Sequence, residues 1–360
     1  MLLFNDLKSL GVVILAALSL ASCGGGGTDI AGGSPKTQSP PQERNAIENY
    51  DATSAKQALE SLASVEPQFG SVIQFRGENP TTDFDVSQNE DGTYRLSLPR
   101  RGGTVILDTP TKDSSTFPRD IGSVGNQDLT GQYFEKLEDV GDTRGGVYIF
   151  NPDPDDLGDW LVGGVWILVK LNDNYEYGAF VDGPEIATDR PADFTLPTQD
   201  SATYNGKAAG MYDYNLQASP YPRIHIWGQY TGDFEATATF TSQGGTMNGT
   251  IKNIILRGMY GNYDPKIYKS ELPGLTIQLQ EAPFGSNGQV TGNVTVSLPG
   301  TDFNQNKGKW GNQFSSRSTG ADDQTPRLIA GTHSAYAETP QEEGGHIGFI
   351  GMHIGTYEQE

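Results

Sequence analysis

Four histidines and one cysteine are the side chains best suited to chemistry in this chain. The histidines, His225, His333, His346 and His353, fall in separate stretches. None belongs to a His-x-x-x-His or Glu-x-x-His pair on a helix; Glu343 precedes His346 by three, but across the Gly344-Gly345 turn, so metal catalysis has no helical ligand set. His346 and His353 differ by an odd number, and a regular strand would send them to opposite faces. His333 reads as a packed or half-exposed imidazole. His225 stands apart, because it sits beside Trp227 and near Tyr221 and Tyr230. A histidine among aromatic rings could ligate a haem iron; a structured loop with a small aromatic cluster is the alternative reading. No Gly-x-Ser-x-Gly turn and no phosphate-binding loop occurs in the sequence. The chain is therefore read as a non-enzyme.

Two further stretches invite a functional reading. Residues 151–159 place Asp153, Asp155 and Gly158 like the start of a calcium loop. Leu157 takes a ligand position, however, and Gly164 stands where the closing Glu belongs. A solvated acidic turn fits better. Residues 258–268 carry Tyr260, Tyr263, Tyr268 and a methionine with few charges. Tyrosine and methionine are enriched at recognition surfaces; a loop folded over a rim is the alternative.

The elements that must hold these residues are strands. The chain has 360 residues, enough for two domains. Glycine, proline, threonine, serine and asparagine are abundant and long amphipathic helical runs are few, which favours an all-β protein of many short strands. The formal charge of −21 would repel phosphate backbones, so nucleic acid is excluded as a partner. One helix is expected over 54–64, where Ser54 and Gln57 have capping-box spacing. Strands of a first β-rich domain, 45–195, are expected at 71–76, 82–87, 93–98, 104–107, 146–150, 160–170 and 175–181. Glu90-Asp91-Gly92 is a hairpin signal. The stretch from Trp160 to Val169 is the most apolar of the mature chain and should be a central strand bent at Gly163-Gly164.

The second domain, 196–360, offers eight strand candidates: 202–212, 234–241, 246–256, 275–280, 289–298, 308–315, 327–336 and 346–354. Phe234, Ala236, Ala238 and Phe240 alternate with polar neighbours, as do Val290, Val294, Val296 and Leu298. One face is dry and the other wet, as in a barrel with a filled interior. An eight-stranded antiparallel barrel is expected, folding as a unit of its own. In such a meander the connections after strands one, three, five and seven share one end. The two longest, 213–233 and 257–274, would then lie together, and long loops on a rigid scaffold are where binding resides. The candidate binding residues are accordingly Tyr221, His225, Trp227, Tyr230, Tyr260, Tyr263 and Tyr268.

The last three strands carry a recognisable pattern. Gly308, Trp310, Gly311 and Phe314 form one block, Gly331, Thr332 and Ala335 a second, and Gly348 and Gly351 a third. This resembles the C-terminal barrel of the transferrin-binding protein B family of bacterial surface lipoproteins. His333, Ser334 and Ile350 depart from that pattern. Thr203-Tyr204-Asn205-Gly206 is similar to the family's first barrel strand. The resemblance implies a β-rich, handle-like domain before the barrel. It also implies a host- or environment-derived ligand, such as an iron-carrying protein, haem or another solute, and an outer-membrane receptor as partner.

The N-terminus points the same way. Residues 11–20 are apolar and too short to remain as a membrane span, and they lead to Leu20-Ala21-Ser22-Cys23. This resembles the lipobox of bacterial lipoproteins, which implies cleavage after residue 22 and acylation of Cys23. Residues 23–44 then read as a flexible, glycine-rich tether. No aspartate follows Cys23, which favours the outer membrane. The expected function is a surface lipoprotein that binds its ligand through barrel loops. The alternative is a structural or shielding envelope lipoprotein without a small ligand.

Overall fold

The computed structural model describes residues 73–75, 85–88, 94–100, 103–107, 120–124, 127–137, 144–150, 161–169, 175–182, 195–216, 224–260, 272–315, 318–320, 323–339 and 345–357. The signal, Cys23, the tether, the helix expected over 54–64 and the acidic turn at 151–159 lie outside these residues.

Among the described residues every regular element is a strand. The first part contains β1 (Ile73–Phe75), β2 (Asp85–Gln88), β3 (Tyr94–Arg100), β4 (Gly103–Leu107), β5 (Asp120–Val124), β6 (Gln127–Leu137), β7 (Arg144–Phe150), β8 (Val162–Val169) and β9 (Tyr175–Asp182). β2, β3 and β4 form a small sheet, and the β2–β3 pairing brackets the Glu90-Asp91-Gly92 signal. The others form a six-stranded sheet in the order β1-β9-β8-β7-β6-β5. β8 is central, as its apolar run requires. Gly163 and Gly164 pair in register with β7 and β9, so no bulge interrupts β8 there. A close approach also calls for glycine: a Cβ on Gly163 would lie 2.8 Å from Met352 Sδ. β5 and β6 were not legible in the sequence, since Gln127–Leu137 mixes charged and apolar residues on both faces.

The second part contains β10 (Ser201–Leu216), β11 (Ile224–Thr241), β12 (Gly244–Tyr260), β13 (Thr276–Phe284), β14 (Gln289–Ser297), β15 (Gln305–Phe314), β16 (Ser318–Gly320), β17 (Asp323–Pro326), β18 (Leu328–Glu338) and β19 (His346–Tyr357). Eight of these close into an antiparallel barrel in the order β10-β11-β12-β13-β14-β15-β18-β19, with β19 returning to β10. β16 and β17 form a small hairpin in the connection between β15 and β18. The barrel interior is a continuous core of alternating apolar residues, among them Tyr204, Phe234, Phe240, Ile277, Val294, Trp310 and Phe314. The outer face of β11 to β14 is wet, with Glu235, Thr239, Asn248, Lys252, Gln278 and Thr291 exposed. A membrane-spanning barrel has the reverse pattern, apolar outside and polar within.

The outer face of β10, β18 and β19 behaves differently. Ala209, Met211, Ala330, Ile350, Met352 and Ile354 point away from the interior core, yet each is at most 4 % exposed. They are covered by the six-stranded sheet, chiefly through β8, β9 and β5. The barrel closes its edges on itself, but it does not leave this wall to water. Removing Met352 side-chain atoms should therefore be felt as a core substitution. Met352→Ala is expected to cost about 2 kcal/mol, a fall of about 4–8 °C in melting temperature. An unchanged melting temperature would mean that the wall is solvated in solution.

Candidate functional site

The strands extend further than the sequence pattern suggests, and this rearranges the candidate residues. β10 runs on to Leu216 and β11 begins at Ile224, so the long connection expected at 213–233 shrinks to 217–223. Likewise β12 continues to Tyr260, leaving 261–275 before β13. These two connections do share one end of the barrel, opposite the end where Ser201 and Tyr357 lie. Tyr221, Tyr263 and Tyr268 fall outside the described residues. His225, Trp227 and Tyr260 are strand positions, not loop positions. His225 pairs with Asn215, and Trp227 pairs with both Asp213 and Tyr260. The ladder thus brings Trp227 and Tyr260 side by side near the loop end.

Tyr230 belongs elsewhere. It lies on β11 inside the barrel, fully buried, and so cannot serve a surface loop. Its hydroxyl is hydrogen-bonded to His333 Nε2 on β18. His333 Nδ1 in turn lies 3.1 Å from His353 Nδ1 on β19. Phe234 packs on the His353 ring with centroids 4.6 Å apart. Glycines make this possible: a Cβ on Gly351 would strike the Tyr230 hydroxyl, and one on Gly331 would strike the His353 ring.

Burial sets the protonation of this centre. It holds His333 down to a pKa of about 3, because a charged imidazole would lose its hydration without a compensating anion. Burial also holds His353 well below the ordinary range, and the neighbouring His333 adds to this. Tyr230 is pushed up by burial alone. All three groups are neutral near pH 7. In a neutral chain of this kind both nitrogens of His333 are committed, as is Nδ1 of His353. A haem or metal bound through His333 would have to break one of these bonds. Among the described residues no group of three metal-ligating side chains comes together.

His346 occupies the other face of β19, as its odd spacing from His353 requires. Its Nε2 lies 2.8 Å from Asp213 Oδ1, with both side chains fully buried. Tyr336 stacks on the imidazole at 5.9 Å. Asp213 is one residue from the interior Tyr212, and no sequence signal marked it as a partner. The signal that was present is the near absence of polar alternation from Ile347 to Ile354, which marks a strand buried on both faces.

Among the described residues these features define an all-β architecture whose second half is a closed, antiparallel, eight-stranded barrel. No protein-family model matches the chain, and no curated protein matches it. Two solved structures are similar over most of its length. The HpuA of Kingella denitrificans in complex with human haemoglobin is 14% identical, with 81% of this chain and 85% of that chain covered and a TM-score of 0.35. The apo haemoglobin receptor HpuA of the same organism is 13% identical, with 80% and 86% covered and a TM-score of 0.32.

Proposed function

We propose that the chain is a lipid-anchored outer-membrane surface protein that binds a host- or environment-derived partner without catalysis. The partner class is an iron-carrying protein, haem or another solute, and contact is made at the loop end of the barrel. The observation that carries this reading is the pairing of Trp227 with Tyr260 beside the loop end of the barrel. Packed side chains fill the barrel interior from Tyr204 to Trp310. The wall of β10, β18 and β19 is covered by the six-stranded sheet. The outer face of β11 to β14 is exposed but polar, whereas Trp227 and Tyr260 pair beside the end bearing 217–223 and 261–275. The resemblance of the barrel strands to transferrin-binding protein B, and the Leu-Ala-Ser-Cys23 sequence, supply the surface and the anchor.

The binding half is tested with a panel of iron-carrying proteins and free haem against the full chain. Aromatic anchors at an interface centre commonly cost about 2 kcal/mol or more on truncation, roughly thirtyfold in affinity. A W227A, Y260A, Y263A variant should weaken partner binding by at least that factor and leave the melting temperature nearly unchanged. Lost stability with unaltered binding would make the rings a plug for the rim and move recognition elsewhere. A Soret shift on haem addition that His225→Ala removes would assign haem as the ligand. Binding to none of the panel favours a shielding role.

The anchor has its own test. Cys23→Ala should release the protein from the membrane fraction and leave the signal uncleaved by the lipoprotein peptidase. Acyl label still attached to that variant would overturn the anchor.

A further inference from the structure

The Tyr230–His333–His353 chain ends on an atom that has no partner. His353 Nε2 is buried and accepts or donates no hydrogen bond among the described residues. A second such atom faces the same interior. Asn312 of β15 donates from Nδ2 to Met247 Sδ at 3.2 Å, which leaves its Oδ1 unpartnered and buried. An unsatisfied buried polar atom costs on the order of 1–3 kcal/mol, so two close together call for a common explanation.

Register places the two residues on one level. Asn312 pairs with Gly331, and Gly331 pairs with His353. Neighbouring strands lie about 4.8 Å apart, so the two Cα atoms are separated by roughly 10 Å. The His353 ring leans across the intervening strand. A Cβ on Gly331 would lie 2.7 Å from His353 Cε1 and closer still to Nε2. The Nε2 edge has thus crossed half the distance to Asn312. A single water spans atoms up to about 5.6 Å apart, two hydrogen bonds of ordinary length.

Polarity agrees with distance. If the Tyr230 hydroxyl donates to His333 Nε2, then His333 carries its proton on Nδ1 and donates to His353 Nδ1. His353 must then carry its own proton on Nε2. That N–H needs an acceptor, and Asn312 Oδ1 needs a donor. A molecule that accepts one hydrogen bond and donates another satisfies both. The surrounding core is packed with aromatic and aliphatic side chains, so the molecule has to be small.

We propose that the barrel encloses one structural water, accepting from His353 Nε2–H and donating to Asn312 Oδ1. It completes a hydrogen-bonded relay that runs from Tyr230 on β11 through β18 and β19 to Asn312 on β15. Gly331 is glycine because the ring that holds the water must pass over it.

The test uses the full chain. A high-resolution crystal structure should show a density peak about 2.8 Å from both atoms. Nitrogen-15 NMR should find both histidines neutral near pH 7, His333 protonated on Nδ1 and His353 on Nε2. In Asn312→Leu the peak should vanish. A direct His353–Asn312 hydrogen bond, an empty site, or a bare Nε2 on His353 would each overturn the proposal. The wild-type density and tautomers decide it even where Asn312→Leu does not fold.

Discussion

Trp310→Ala is expected to lower the stability of the protein by about 3–5 kcal/mol, a large share of the 5–15 kcal/mol typical of a folded domain. The indole is fully buried. It lies across β14, where a Cβ on Gly292 would come 2.9 Å from Trp310 Cε2. Its Nε1–H donates to the Gln280 carbonyl at 3.2 Å. That carbonyl is free to accept because β13 bulges there. Met247 pairs with Ala282 but Gly249 with Leu279, so one extra residue is inserted on β13. Deleting the ring therefore opens a cavity and orphans a carbonyl. Trp310→Phe should recover most of the packing but not the hydrogen bond, worth about 1 kcal/mol. Gly292→Ala should approach the cost of Trp310→Ala, since the methyl group and the indole compete for one space. Denaturant midpoints at constant m-value measure all three. A Trp310→Ala cost below about 1 kcal/mol would mean that the indole does not fill the interior.

Trp310 also shows which parts of the fold were legible in sequence. The alternation of Phe234, Ala236, Ala238 and Phe240 marked a barrel strand, because there one face of β11 is apolar and the other wet; the Gly308-x-Trp310-Gly311 block contributed through its resemblance alone. Where that contrast fails, the sequence misleads. Asp213 to Leu216 and Ile224 to Gly232 looked like loop because they carry polar and aromatic residues without alternation, yet they pair throughout. Their backbones pair across the sheet, and buried Asp213 meets His346 on β19. The double polar step Gln280-Glu281 is explained by the bulge and by no feature of composition. The interior histidines were hidden for a related reason. His333 and His353 stand where an apolar residue is expected, and the partner that makes them tolerable, Tyr230, lies 103 residues away from His333. Strand periodicity reports burial of single faces. It does not report which buried polar groups meet.

That meeting has a consequence for acid stability, the second large effect expected here. In the unfolded chain both histidines titrate near the ordinary value of about 6.5. In the fold, burial keeps His333 neutral down to about 3 and keeps His353 neutral well below the ordinary range. The unfolded state therefore binds more protons below about pH 6.5, so stability falls as pH falls. It is fully present above that pH and is lost progressively towards pH 3. Each histidine contributes a slope of about 1.4 kcal/mol per pH unit well below 6.5, so the pair should cost roughly 4 kcal/mol between pH 7 and pH 5. The rings facing the pair do not offset this. Phe234 does not titrate, and Tyr230 is pushed above its ordinary value. Carboxylates add acid sensitivity only at lower pH. Asp233, held below the ordinary carboxylate range chiefly by Asn253 and Lys207 against the opposing effect of its own partial burial, loses its contribution as pH falls towards its folded value. The comparison that isolates the histidines is wild type against a H333Q, H353Q variant, by urea denaturation at pH 7 and pH 5. The variant will start less stable, since it loses the contact with Phe234 and the relay to Tyr230, but its pH slope should be smaller by about 4 kcal/mol over that interval. Equal slopes in the two proteins would place the imidazoles in contact with water and remove the buried centre from the barrel.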